Sequence, residues 1–207
     1  MMADASFWDK AAKKYAASPI KDTAAYEDTL DRARHYLQPA DHVLEVGCGT
    51  GTTALTLSAS VRQITATDVS GKMLEIAEAK RADQGRTNVS FQRCETIQPM
   101  TDAPFDAICA FSILHLVDDL HITLSHLYSQ LKPDGYVISK TTCLRDMNMF
   151  IPPMIKIMKM FGKAPDVLLF DAAALEAAFR NAGFEVVETG YFGKNTAARF
   201  VVARRPV

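Results

Sequence analysis

The sequence predicts an α/β fold: a doubly wound, seven-stranded sheet, mostly parallel, with an antiparallel pair at its C-terminal edge and N-terminal helices as a cover. Three observations predict it. Between residues 42 and 141, short apolar runs alternate with helical periodicities, the pattern of a parallel sheet wrapped on both faces. A glycine-rich stretch follows the first of these runs directly. The last two runs are separated by a short loop, which suits a hairpin. The 207 residues read as one domain. Within it, 1–38 are a helical cover, 40–141 a ligand-binding core, 145–170 an inserted cover and 171–207 a closing helix and strands.

The elements follow in order. Ser6 is a candidate N-cap for a helix over 6–17, with Phe7, Ala11 and Tyr15 on one face and Pro19 beyond its end. Tyr26, Leu30, Ala33 and Leu37 keep helical spacing over 22–37. His42–Val46 is a buried strand and Thr52–Ser60 a helix. Ile64–Asp68 is a strand ending in an acid, and Ser70 caps a helix reaching Ala82. Val89–Arg93 and Phe105–Phe111 are strands, the second apolar almost throughout, as a strand covered on both faces should be. Leu120, Leu124, Leu127 and Leu131 form the buried stripe of the next helix. Lys132-Pro133-Asp134-Gly135 is a turn in which proline sets φ and glycine tolerates positive φ. Tyr136–Thr141 is a strand, and Asp171 caps an alanine-rich helix stopping at Gly183. Phe184–Thr189 and Ala198–Ala203 close the sheet around a loop from Gly190 to Asn195.

Composition narrows the function classes. A formal net charge of -1 gives no electrostatic footprint for nucleic acid. Four cysteines, none in a C-x-x-C pair and none with histidine at zinc spacing, read as buried reduced thiols without a metal. Residues 1–10 lack the apolar core of a signal peptide, and no run of about 18 apolar residues suggests membrane insertion. A cytoplasmic location is the expectation.

The chemistry concentrates in Val43-Leu44-Glu45-Val46-Gly47-Cys48-Gly49-Thr50-Gly51. Alternate glycines between a strand and a helix let the chain turn sharply and let a ligand lie against bare main chain. A dinucleotide loop needs G-x-G-x-x-G, but Thr52 stands where its third glycine belongs. Glu45 at the strand end suits a cationic ligand better than a pyrophosphate. Asp68, ending the second strand, is placed to accept ribose hydroxyls. S-adenosylmethionine carries a sulfonium, an ammonium and a ribose, and no phosphate.

Here the sequence resembles the class I S-adenosylmethionine-dependent methyltransferases of Rossmann-like fold, especially small bacterial enzymes of the ubiquinone-biosynthesis type. Leu44–Gly51 resembles their first motif, and Thr67-Asp68-Val69-Ser70 with Met73 their second. Pro104–Ile108 with Leu114-His115 resembles the fourth-strand segment, and Leu131–Gly135 the turn after it. The resemblance implies that Glu45, Gly47 and Gly49 line the methionine end of the cofactor, with Cys48, Thr50 and Gly51 completing the loop. It implies that Asp68 holds the ribose, that Val69 and Met73 flank the adenine, and that Phe111 borders the cofactor. Where the family often has Gly-Asp-Ala, this chain has Cys94-Glu95-Thr96, which leaves Glu95 to meet the adenine amine beside Thr96. S-adenosylhomocysteine would be the product.

Methyl transfer from a sulfonium is an in-line displacement, so alignment of the acceptor matters most and a base is optional. His115 is the candidate base, against the reading that it packs or caps a helix. Tyr15 is a candidate to close the site. Thr141, Cys143 and Met154 are candidates for the acceptor side. Residues 147–161 are rich in methionine, isoleucine and phenylalanine, with Lys156, Lys159 and Lys163 as a basic edge. They read as a lid over a small hydrophobic or aromatic acceptor, as a core or homodimer-packing helix, or as an interfacial contact. Two other functions remain open at this stage: a non-catalytic binder of S-adenosylmethionine or S-adenosylhomocysteine, and a nucleotide-dependent oxidoreductase. The N/D-P-P-Y/F signature of amino-methylating DNA enzymes is absent, since Ala110-Phe111-Ser112-Ile113 occupies its place.

Overall fold

The computed structural model describes residues 5–147, 149–161, 164–193 and 196–207, without the side chains of Pro152 and Lys156. Lys163 and Asn195, named above at the basic edge and in the closing loop, lie outside the described residues, as does the Lys156 side chain. The strands are β1 His42–Val46, β2 Gln63–Asp68, β3 Val89–Arg93, β4 Phe105–Phe111, β5 Leu131–Thr142, β6 Glu185–Gly190 and β7 Ala198–Arg204. They form one sheet in the order β3-β2-β1-β4-β5-β7-β6. Strands β1 to β5 are parallel, and β7 runs antiparallel between β5 and β6. The helices are α1 Ala5–Ala17, α2 Thr23–Arg34, α3 Thr52–Leu57, α4 Gly71–Asp83, α5 Leu120–Gln130, α6 Ile151–Met160 and α7 Ala172–Asn181. None is long and apolar enough to cross a membrane.

Strand alternation divides the interior into two cores. Leu44 and Val46 of β1 join Ile108, Leu124, Leu127 and Phe179, on the side of α5 and α7. Val43 joins Leu30, Ala33, Leu55 and Ile138, on the side of α2 and α3. Period-two spacing therefore sends Glu45 to the α2–α3 side, where it is 3% exposed. The chain steps outward from β1 to β2 and β3, then returns to pair β4 with the other edge of β1. Loops leaving β1 and β4 diverge, and a crevice opens at their C-terminal ends.

Short side chains start the helices. Ser70 Oγ accepts from the Met73 amide at 3.1 Å, as the sequence predicts. Asp22, Asp119 and Asp171 cap α2, α5 and α7 in the same way. Ser6 does not: α1 already includes Ala5, so Ser6 sits inside the helix. Two further expectations change near β5. Leu131 is the first strand residue, opposite Phe105, although it shares the core of the α5 leucines. The expected turn at 132–135 is an irregularity within that pairing, which resumes at Ala107 and Tyr136. Positive φ falls on Asp134, at 61°, and not on Gly135. Gly135 is needed for closeness: a Cβ there would stand 2.8 Å from the Asp106 carbonyl oxygen. Lys132 Nζ donates to Asp106 Oδ1 at 2.6 Å, and Asp106 Oδ2 accepts from the His42 amide at 2.8 Å. The Phe105-Asp106 and Lys132–Gly135 stretches thus lock each other at the sheet end remote from the crevice.

Gly135→Ala should destabilise the protein by about 1–3 kcal/mol, the usual cost of overpacking. Urea denaturation would measure it, and a change under 0.5 kcal/mol (about the scatter of neutral surface changes) would refute the close-approach argument.

Candidate active site

The loop after β1 uses its three glycines differently. Gly47, Gly49 and Gly51 have φ of 65°, 54° and 73°, a region that excludes most other residues. A Cβ on Gly47 would lie 2.6 Å from Ile113, in the loop after β4. A Cβ on Gly51 would lie 2.6 Å from Phe91 and 2.8 Å from Ala77. Gly51 therefore seats α3 against β3 and α4, and it lines neither cavity described below. Only Gly49 presents open main chain, with the Tyr15 ring at 3.7 Å as its nearest neighbour.

Two acids flank this loop, Glu45 buried and Asp68 half-buried. Asp68 Oδ2 accepts from the Gly49 amide at 2.8 Å, and Oδ1 accepts from the Ser70 amide at 2.8 Å. Burial raises the Asp68 pKa, and the two amides oppose that rise. Each oxygen keeps a lone pair for a further donor. Glu45 is fully enclosed. Burial, then the charge of Asp68, push its pKa from 4.5 to about 8, with the Ala54 amide acting the other way. Its Oε2 atom is buried and has no hydrogen-bond partner among the described residues. An orphaned carboxylate oxygen costs about 1–3 kcal/mol or more, and a cationic group would offset that cost.

Two cavities meet at the crevice. The first, about 710 Å³, takes Gly47, Gly49, Asp68, Val69, Met73, Glu95, Thr96, Phe111 and His115 into its wall. It continues over Leu116, Val117, Ile122, Leu144, Ile155 and Met158, an apolar end beneath α6. The second, about 560 Å³, lies under α2 and takes in Glu45, Cys48 and Thr50. Tyr15, Gly47, Phe111, Ser112 and Thr142 border both. Ser112 holds φ at 57°, rare outside glycine, and its amide donates to the Lys140 carbonyl at 2.8 Å. Strain of this kind persists only where surroundings over-determine it.

The cover rests on α1. Asp9 Oδ1 accepts from Ser70 Oγ at 2.6 Å and from the Lys72 amide at 3.1 Å. These bonds hold the Asp9 pKa below its usual value. Tyr15, 52% exposed, lies over the glycine loop, with Trp8 edge-on at 6.5 Å. His115 faces the first cavity with an imidazole whose buried Nδ1 has no partner among the described residues. Burial lowers its pKa to about 4, so it is neutral at physiological pH.

Three acceptor-side candidates fall elsewhere. Thr141 is fully buried, and its neighbour Thr142 is the residue that reaches both cavities. One step along a strand turns a side chain to the other face. Cys143 is buried in the α5–α7 core, its thiol pushed up to about 11 chiefly by burial. Met154 is 47% exposed and outside the cavity lining, whereas Ile155 and Met158 belong to it. Sequence reasoning missed Tyr26, Lys80 and Lys140, all in the second cavity. A charged residue inside the β5 run, two before Thr142, is the one signal that could have pointed to Lys140.

A methyltransferase-domain family model matches residues 19–189. A demethylmenaquinone methyltransferase of Alkalihalophilus pseudofirmus is 27% identical over 183 residues, 78% of this chain and 77% of that protein. A ubiquinone/menaquinone biosynthesis C-methyltransferase of Desulfotalea psychrophila is 33% identical over 116 residues, 55% of this chain and 46% of that protein. The fold matches magnesium protoporphyrin IX methyltransferase of Synechocystis PCC 6803, solved with bound S-adenosylhomocysteine, at a TM-score of 0.72 and 18% identity, over 98% of this chain and 95% of that one. The chain spans less than half of the first curated relatives it matches, 4%, 42% and 47% of their lengths. With the family model matched over most of its length, the chain belongs to the methyltransferase-domain family.

Proposed function

We propose that this chain transfers the methyl group of S-adenosylmethionine to a small hydrophobic or aromatic acceptor. The observation that carries the reading is the enclosed, partnerless Oε2 of Glu45, on the strand whose following loop offers the bare main chain of Gly49. That pair fits a ligand with an ammonium group and no phosphate. When bound, the cofactor supplies a methyl group already activated on a sulfonium.

The chain's own residues then have positional roles. Glu45 accepts from the ammonium, and Asp68 keeps the loop in shape while its free lone pairs take ribose hydroxyls. Val69, Met73 and Phe111 provide apolar contact, and Glu95 beside Thr96 accepts from the adenine amine. Tyr15 covers the loop and excludes water, which strengthens the polar contacts beneath it. The acceptor lies in the apolar end of the first cavity, with Ile155 and Met158 of α6 as its lid. A neutral His115 accepts a hydrogen bond from an acceptor hydroxyl or amine at Nδ1 and so orients it.

Four outcomes test the reading. Asp68→Ala and Gly49→Val should each weaken S-adenosylhomocysteine binding at least tenfold by calorimetry, since each removes a charge-assisted contact or fills the open main chain; wild-type affinity in both would refute the placement. Glu45 gives a pH signature. Its carboxyl is protonated in the unliganded protein below about 8, and an ammonium partner lowers that pKa, so binding releases a proton. Affinity should rise with pH between 6 and 8 and level off above, while Glu45→Gln should flatten the profile. A rise of equal slope in the variant would assign the titration elsewhere. His115→Asn should lower kcat/KM for the acceptor about 10²-fold while leaving S-adenosylhomocysteine affinity intact. The acceptor itself would come from a metabolite-extract screen with methyl-labelled cofactor and mass identification of the product; no label transfer across extracts would remove the catalytic reading.

A further inference from the structure

The second cavity carries more positive charge than the cofactor reading uses. Strand register lays out its floor. Glu45 pairs with Cys109 across β1 and β4, and Phe111, two residues further, pairs with Lys140 across β4 and β5. Residues two apart share a face, so Glu45, Phe111 and Lys140 follow one another beneath α2, an acid at one end and an ammonium at the other. Phe200 lies opposite Lys140 on β7, and Phe192 packs on Phe200 with ring centroids 5.0 Å apart. The Lys140 ammonium stands 5.8 Å from the Phe192 centroid.

Lys140 Nζ donates to Thr29 Oγ1 at 2.8 Å and makes no ion pair among the described residues. Thr29 uses its own proton on the Ala25 carbonyl at 2.6 Å. Burial lowers the Lys140 pKa, with the charges of Asp22 and Asp28 acting the other way, and Asp22 is engaged in capping α2. A half-buried ammonium with one neutral partner retains two unused donors. At the opposite end, beside the glycine loop, Lys80 Nζ donates to Thr50 Oγ1 and Thr52 Oγ1, both at 2.9 Å. Lys80 is thus a cation beside the loop that can serve an anionic group there. Lys140 is left for a second anion. Phe111, Ser112 and Thr142 line the second cavity with Lys140 and also border the first, so a ligand held by Lys140 has an open route toward the apolar cavity.

We propose that Lys140 is the docking point for a carboxylate in the second cavity, and that this carboxylate belongs to the methyl acceptor, which makes the acceptor an apolar acid. The proposal rests on the cofactor reading above and deepens it. Benzoate against benzamide and hexanoate against hexanamide serve as probes, titrated by ligand-observed NMR with and without S-adenosylhomocysteine. In wild type each acid should bind at least tenfold more tightly than its amide. Lys140→Met should abolish that preference, Lys140→Arg should restore it, and neither should move S-adenosylhomocysteine affinity more than twofold. A preference for neither acid in wild type overturns the proposal, and this comparison stands even if Lys140→Met fails to fold. If Lys140→Met instead weakens S-adenosylhomocysteine tenfold and leaves 5′-methylthioadenosine, which lacks the amino-acid end, unchanged, the carboxylate is the cofactor's own and the acceptor assignment falls. Failure of wild type to bind S-adenosylhomocysteine would sink the cofactor reading alone, since probe binding without it still reports on Lys140.

Discussion

The tie between Asp68 and the Gly49 amide organises this site. It joins the end of β2 to the loop after β1 and fixes a run of left-handed residues that would otherwise sample many shapes. The same carboxylate holds Ser70, which begins α4. One half-buried acid therefore sets the bend of the loop, the start of a helix and the mouth of the cavity together. Because the group is partly desolvated, its hydrogen bonds are stronger than they would be in water, and losing one leaves a half-buried charge short of a partner.

Glu45 depends on that arrangement. It lies next in line beneath the loop, and the negative charge of Asp68 adds to burial in disfavouring its ionised form. Two acids close together in a dry place form an unstable pair unless positive charge joins them. The fold tolerates this because β1 is central in the sheet and both faces are packed. On the proposed reading, selectivity for a cation would come from geometry the sheet already enforces.

Most of this frame was legible in the sequence, and the reason is locality. Glycine spacing, the acids ending β1 and β2, and the Ser70 cap are each encoded within a few adjacent residues. Helix and strand periodicity located the sheet, including its antiparallel edge. What escaped depends on long-range assembly. The second cavity draws on α2, α4, β5 and the segment before β7, far apart in the chain, so Tyr26 and Lys80 carried no local mark and Lys140 only its charge within the β5 run. The choice between Thr141 and Thr142 turned on strand parity. In α6, nearly every residue is apolar, so periodicity could not say that Ile155 and Met158 face inward while Met154 faces out. Asp134 took the positive φ expected of Gly135 because closeness to the Asp106 carbonyl reserved the smallest residue for the next position.

The boundary of the chamber is unequal in strength. Its floor is a central strand pair, held by a continuous ladder of backbone hydrogen bonds. Its ceiling over the glycine loop is an aromatic ring on α1, a helix that packs on α4, buries Ala12 and is tied to Ser70 and Lys72 through Asp9, which water can reach. Thermal fluctuation enters through the least cooperative contact. On the proposed reading, a nucleoside entering the crevice would have to pass beneath this helix, and the Asp9 contacts to Ser70 and Lys72 are among those it would disturb.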